Sequence, residues 1–102
     1  MPSTPPVGMP APTVRDADRP RLAPHVRLRF DAARTCHVLL SPETVVVLNA
    51  TGAAILELCD GRRTVTAIVA ELRARYARVA DDEVRRHLGR LAARRLVEVG
   101  RG

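Results

Sequence analysis

Val45-Val46-Val47-Leu48 follows Thr44 without a polar interruption, at the centre of a stretch from Leu39 to Gly61 that reads LLSPETVVVLNATGAAILELCDG. β-Branched residues favour a pleated, packed surface, so Thr44–Leu48 is expected to be a strand. In a small antiparallel sheet with one wet face, apolar and polar residues would alternate; here both faces need cover. If that strand is also an edge, unpaired N–H and C=O groups lie beside apolar side chains and invite another chain to pair there. The expected guest is a peptide.

The elements around this strand follow from local signals. Val26, Leu28 and Phe30 alternate with Arg27, Arg29 and Asp31, the pattern of a half-buried strand. Ala32-Ala33-Arg34 fits a short reversal, although it lacks the usual Asn-Gly or Gly turn chemistry. Cys36, Val38 and Leu40 then share one side of a second strand, Ser41-Pro42 breaks it, and Thr44–Leu48 completes a three-stranded antiparallel meander with its last strand at an edge. Asn49 caps a short amphipathic helix in which Ile55, Leu56 and Cys59 fall on one face before Asp60-Gly61 ends it. Thr64 caps a second helix with Val65, Ile68, Val69, Leu72 and Tyr76 in its apolar stripe. Asp81 is expected to cap a third, with Asp82 and Glu83 in its first turn, Val84, Leu88 and Leu91 as its stripe, and Arg94 and Arg95 at its end. Gly89 lies inside this helix at a cost of about 1 kcal/mol relative to Ala, consistent with close helix packing or with a guest passing over Gly89 and Ala92. Leu96–Gly100 reads as a short extended tail.

Seven of the eight prolines fall in residues 1–24, where no apolar period exists, so a disordered arm is expected to end near Pro24 and one domain to occupy residues 25–102. A single Phe, a single Tyr and no Trp leave a core of Val, Leu, Ile and Ala. No run approaches the roughly 20 apolar residues of a membrane span, and the N-terminus lacks a charged start followed by an apolar block, so a cytoplasmic location is expected. Cys36 and Cys59 are expected as free thiols. The scattered His25, His37 and His87 have no metal-site spacing. The net charge of +6 resides in the last 41 residues, and all 17 basic residues are Arg. Absence of Lys beside abundant Ala fits biased codon composition and weakens the charge as a nucleic-acid signal, but the C-terminal helices would still attract an acidic partner.

Taken in order, PRLAPHVRLRFD, the Leu39-Leu40-x-Pro42-Glu43 step, Leu48-Asn49, Leu58-x-Asp60-Gly61 and the helical positions Val65, Ile68, Leu72, Leu88 and Leu91 resemble the PqqD family of peptide chaperones in pyrroloquinoline quinone biosynthesis. The resemblance covers residues 20 to about 98. It implies an α+β, winged-helix-like domain in which a three-stranded antiparallel sheet is followed by a three-helix bundle. It also implies that a PqqA-type precursor peptide adds as a strand beside the third strand, against the third helix, and is presented to a PqqE-type radical S-adenosylmethionine enzyme. Arg95 departs from the small or Gly residue expected before the final Leu-Val, and the arm is longer and richer in Pro.

The candidate peptide-binding residues are Thr44, Val45, Val46, Val47 and Leu48 on the strand and Val84, Arg85, Leu88, Gly89 and Ala92 on the third helix. Val84 and Leu88 could equally be core, and Arg85 would steer an acidic peptide. A different class of function, DNA binding by a winged helix, would use Arg85, Arg86, Arg90 and Arg94 as readers, but Asp81, Asp82 and Glu83 crowd the helix end that usually meets bases. Cys36 and His37 point to opposite faces of a strand and cannot act as a nucleophile–base pair; no phosphate loop, paired carboxylate or cofactor motif is present, so no enzyme activity and no cofactor are expected. An edge this apolar allows either a monomer or a strand-swapped dimer.

Overall fold

The computed structural model describes residues 14–76 and 79–100. Its elements run β1 (Arg19–Leu22), β2 (Arg27–Asp31), β3 (Cys36–Leu40), β4 (Val45–Val47), α1 (Ala50–Glu57), α2 (Val65–Arg75), α3 (Asp81–Ala93) and β5 (Val97–Gly100). They form a winged-helix-like α+β domain with two antiparallel sheets, one ordered β2-β3-β4 and one pairing β1 with β5.

The β2-β3-β4 meander is the one expected from the sequence. Leu28, Leu39 and Val46 stand opposite one another on its inner face, against the core, while Val38 is paired with Arg29 and Val47 on the outer face. The turn between β2 and β3 manages without Gly because the Asp31 carboxylate accepts from the N–H groups of Ala33 (3.0 Å) and Arg34 (3.2 Å), and Thr35 takes up the left-handed backbone at φ 53°.

Residues 14–24 depart from the expected arm; residues 1–13 lie outside the described part. Val14 is buried in the core, and Asp16 and Asp18 offer their carbonyls to the N–H groups of Thr66 and Val65 at the start of α2. With Thr64 Oγ1 accepting from Ala67 N–H, the first three free donors of that helix are satisfied. Arg19–Leu22 then pairs with Val97–Gly100, so the expected extended tail is a sheet strand. Pro20 fits because of register. The bonded pair Ala23–Leu96 fixes the alternation, which makes Pro20–Val99 a pair whose backbone groups face away from each other, so the missing proline N–H costs no ladder bond.

Helix α1 is more deeply set than one amphipathic face implies: Gly52, Ala53, Ala54, Ile55 and Leu56 are all buried. Its Asn49 cap accepts from Gly52 N–H at 2.7 Å, and it ends in a turn where Asp60 Oδ1 accepts from the N–H groups of Arg62 and Arg63 and Gly61 adopts φ 78°. In α2 the stripe of Val65, Ile68, Val69 and Leu72 is buried, but Tyr76 lies just past the helix and is 43% exposed. The cap of α3 is shifted by one: Ala80 occupies the position without a side-chain bond, and Asp81, the first helical residue, accepts from Arg73 instead. The helix closes with a Schellman motif, in which Leu96 N–H reaches the Leu91 carbonyl, Arg95 N–H reaches the Ala92 carbonyl, and Arg95 takes φ 62°. The unexpected Arg95 therefore occupies a left-handed position that Gly would fill without strain. The core gathers Leu39, Ile55, Leu56, Ile68, Leu72, Val84 and Leu88 from the larger sheet and all three helices. Among the described residues, no helix is long and apolar enough to cross a membrane.

Candidate functional site

Strand β4 is the last strand of its sheet, and its register determines which backbone groups are free. Ser41 and Thr44 exchange both of their N–H···O bonds, and Leu48 N–H reaches the His37 carbonyl at 3.0 Å. Alternation therefore makes Leu39–Val46 a bonded pair, while Val45 and Val47, opposite Leu40 and Val38, turn their N–H and C=O groups away from β3. Among the described residues no further strand lies outside β4. The side chains follow the same alternation: Val45 is 53% and Val47 59% exposed, whereas Val46 packs on the core and Leu48 is buried. An apolar strand thus offers bare backbone donors and acceptors at its rim.

Beside this strand runs a groove of about 330 Å³ lined by Val46, Val47, Leu48 and Asn49 on one side and His87, Arg90, Leu91 and Arg94 on the other. Of the expected strand residues, Val46, Val47 and Leu48 line this groove, whereas Thr44 and Val45 do not. None of the expected helix residues lines it. Val84 and Leu88 have no exposed surface and belong to the core, Gly89 is buried, and Ala92 does not line the groove. Arg85 is held by two carboxylates, Asp16 and Asp82, each at 2.7 Å, on the other flank of the helix. The face of α3 turned toward β4 carries His87, Arg90, Leu91 and Arg94 instead.

His87 is fitted closely to the start of α1. A Cβ placed on Gly52 would come within 3.1 Å of His87 Cε1 and 3.2 Å of its Nε2, so any larger residue would press the ring back by a few tenths of an ångström. Burial, reinforced by the charge of Arg90, holds the imidazole pKa below its ordinary value, with a partial offset from the Gly52 backbone and Glu83. Its Nε2 is buried without a hydrogen-bond partner among the described residues. The groove thus combines an apolar floor, a neutral imidazole and two guanidinium groups. Cys59 takes no part: it is buried in the core, donates to the Ile55 carbonyl, and its thiol is pushed up to about 12, first by burial and then by Asp60. Among the described residues, no cluster of His, Cys, Asp and Glu is arranged to hold a metal ion.

The sequence and the fold both match known proteins. Residues 36–97 match the family model of coenzyme PQQ synthesis protein D, PqqD. A PqqA binding protein of Rhodopseudomonas palustris is 45% identical over 64 residues, 63% of each chain, and one of Pseudomonas aeruginosa is 52% identical over 60 residues, 59% of this chain and 65% of that one. The match therefore spans just under two thirds of the length of these two relatives. The fold also matches the solution structure of the PqqD truncation of Methylobacterium extorquens PqqCD, described as a functional, stand-alone recognition element for ribosomally synthesised and post-translationally modified peptides. That likeness has a TM-score of 0.73 at 39% identity and covers 83% of this chain and 94% of the other. With its meander, its three helices and its matched segment from β3 to the start of β5, the chain belongs to the PqqD family.

Proposed function

We propose that this chain is a peptide-recognition element of coenzyme PQQ synthesis, which takes a PqqA-type precursor as an added strand along β4 and presents it to a radical S-adenosylmethionine enzyme of the PqqE type. One observation carries the reading: Val45 and Val47 turn their backbone groups outward from an open edge, and that edge borders, at Val47, a groove walled by α3. The names of the matched relatives, which specify PqqA binding, point the same way.

An incoming strand could form four ladder bonds with those two valines. At about 1 kcal/mol net each, these give about 4 kcal/mol, whereas a micromolar complex needs about 8 kcal/mol. Main-chain pairing alone is therefore too weak and too indifferent to sequence. The rest must come from side chains laid over Val46, Leu48 and Leu91, and specificity must come from the polar residues of the groove. The chain's role is to bind, extend and orient a substrate whose chemistry is performed elsewhere.

Substitution at Val47 tests the reading. Val47→Pro removes one outward N–H while leaving the bonds to β3 intact, and because the guest carbonyl that would face it is left unpaired at about 1–3 kcal/mol, titration with a PqqA-type precursor peptide is expected to show about a 10- to 100-fold loss of affinity. Undiminished binding by a folded V47P variant would refute strand addition at this edge.

A further inference from the structure

Six arginines among the described residues already face carboxylates: Arg21, Arg34, Arg63, Arg73, Arg75 and Arg85. Arg90 and Arg94 belong to none of these pairs, yet both line the groove beside Val47 and Leu48. They are one helical turn apart on the same face, with Cβ atoms about 6 Å from one another, so two like charges repel beside an apolar floor. Each also loses hydration once a guest covers that floor, which makes an unpaired guanidinium there costly.

The two walls of the groove match in length. From His87 to Arg94 the helix rises about 10 Å, and Val46 to Asn49 spans about 10 Å of extended chain. A strand added to β4 would therefore pass both arginines within its first few residues.

We infer that Arg90 and Arg94 form a two-guanidinium clamp for an acidic side chain of the bound peptide, so that the groove selects a carboxylate-bearing guest. The carboxylate removes the repulsion between the arginines and accepts charge-assisted hydrogen bonds from both. His87, kept neutral in the same wall, adds no competing charge and closes the end of the groove next to α1. This inference rests on the strand-addition reading and adds to it the residues that decide which peptide is accepted.

The test is a double-mutant cycle by titration of the full chain with a PqqA-type precursor peptide and with variants in which each Glu or Asp is changed singly to Gln or Asn. Arg90→Gln with Arg94→Gln is expected to weaken the unmodified peptide about 10- to 100-fold. It should also erase the effect of one particular carboxamide substitution, while Arg85→Gln changes neither. Thermal melts establish that the variants are folded. If the double variant binds every peptide as the unaltered chain does, the clamp is overturned. Strand addition is read separately from Val47→Pro: loss of binding there leaves that reading standing, and unchanged binding overturns both.

Discussion

Strands β1 and β4 each lie at an edge of their sheet, and these two edges are finished in opposite ways. On β1, Pro20 has no N–H to offer at the position that faces outward, its carbonyl accepts from Gly61 N–H at 2.9 Å, and Arg21 bridges to Asp60. The turn after α1 seals that edge. On β4, Val45 and Val47 present both backbone groups with nothing folded over them among the described residues, and their side chains are more than half exposed. The same chain thus seals one edge and leaves open the one beside the groove. An unpaired edge invites promiscuous pairing, so an apolar edge left bare beside a groove points to use rather than neglect.

Placing the device of β1 onto β4 gives the largest expected effect. Val47→Pro copies Pro20 and should weaken peptide binding about 10- to 100-fold while changing stability by less than about 1 kcal/mol, because an outward edge position tolerates proline. Val46→Pro, one residue away, removes an inward donor and leaves the carbonyl of Leu39 unpaired, at an expected cost of about 2 kcal/mol. Chemical denaturation beside peptide titration separates the two. If both substitutions destabilise the fold equally, the assignment of outward and inward groups is wrong.

The comparison also explains how much of this molecule was legible in its sequence. The meander, the Asn49 and Thr64 caps and the buried positions Val65, Ile68, Leu72, Val84, Leu88 and Leu91 follow from local period and cap chemistry. Strand β1 was hidden because its partner lies more than 70 residues away and a proline sits in it; only the register shows that this proline is harmless. For the site, periodicity pointed to the open strand but not to the flank of α3 that borders the groove. The stripe of Val84, Leu88 and Leu91 faces the core with one flank carrying Arg85, Gly89 and Ala92 and the other His87, Arg90 and Arg94. A helical wheel is symmetric about its stripe, so the sequence alone does not say which flank meets β4. That depends on how the helix is laid against the sheet. Nor could Arg85 be recognised as already paired, since one of its carboxylates, Asp16, lies in the stretch assigned to the arm.

A smaller effect is expected at the closed edge. Gly61 donates to Pro20 from a backbone at φ 78°, and a Cβ there would make only ordinary contact, 3.5 Å from the Arg21 side chain. The cost of Gly61→Ala is therefore conformational, about 1–2 kcal/mol, with no change in peptide affinity. A loss of affinity without loss of stability would mean that the sealed edge communicates with the groove. The reverse experiment is available where β5 begins: Arg95 holds a left-handed backbone at φ 62°, so Arg95→Gly should raise stability by about 1 kcal/mol on urea denaturation.

The smallest effect belongs to the most visible contact of the closed sheet. Arg21 and Glu98, opposite one another on β1 and β5, form an ion pair at 2.8 Å, with their side chains 63% and 44% exposed. Water and salt screen such a pair, and ordering two long side chains offsets much of the attraction, so Glu98→Gln should cost less than about 0.5 kcal/mol and less still at high salt. Arg21→Ala should cost slightly more, because the arginine stem also covers the Gly61 turn. If stability measurements return this order, with Gly61→Ala above Arg21→Ala and Arg21→Ala above Glu98→Gln, then backbone geometry at Pro20 and Gly61 keeps the edge shut. The same measure then applies to β4: what keeps it open is the absence of a proline and a covering turn, since a surface ion pair contributes too little to close an edge.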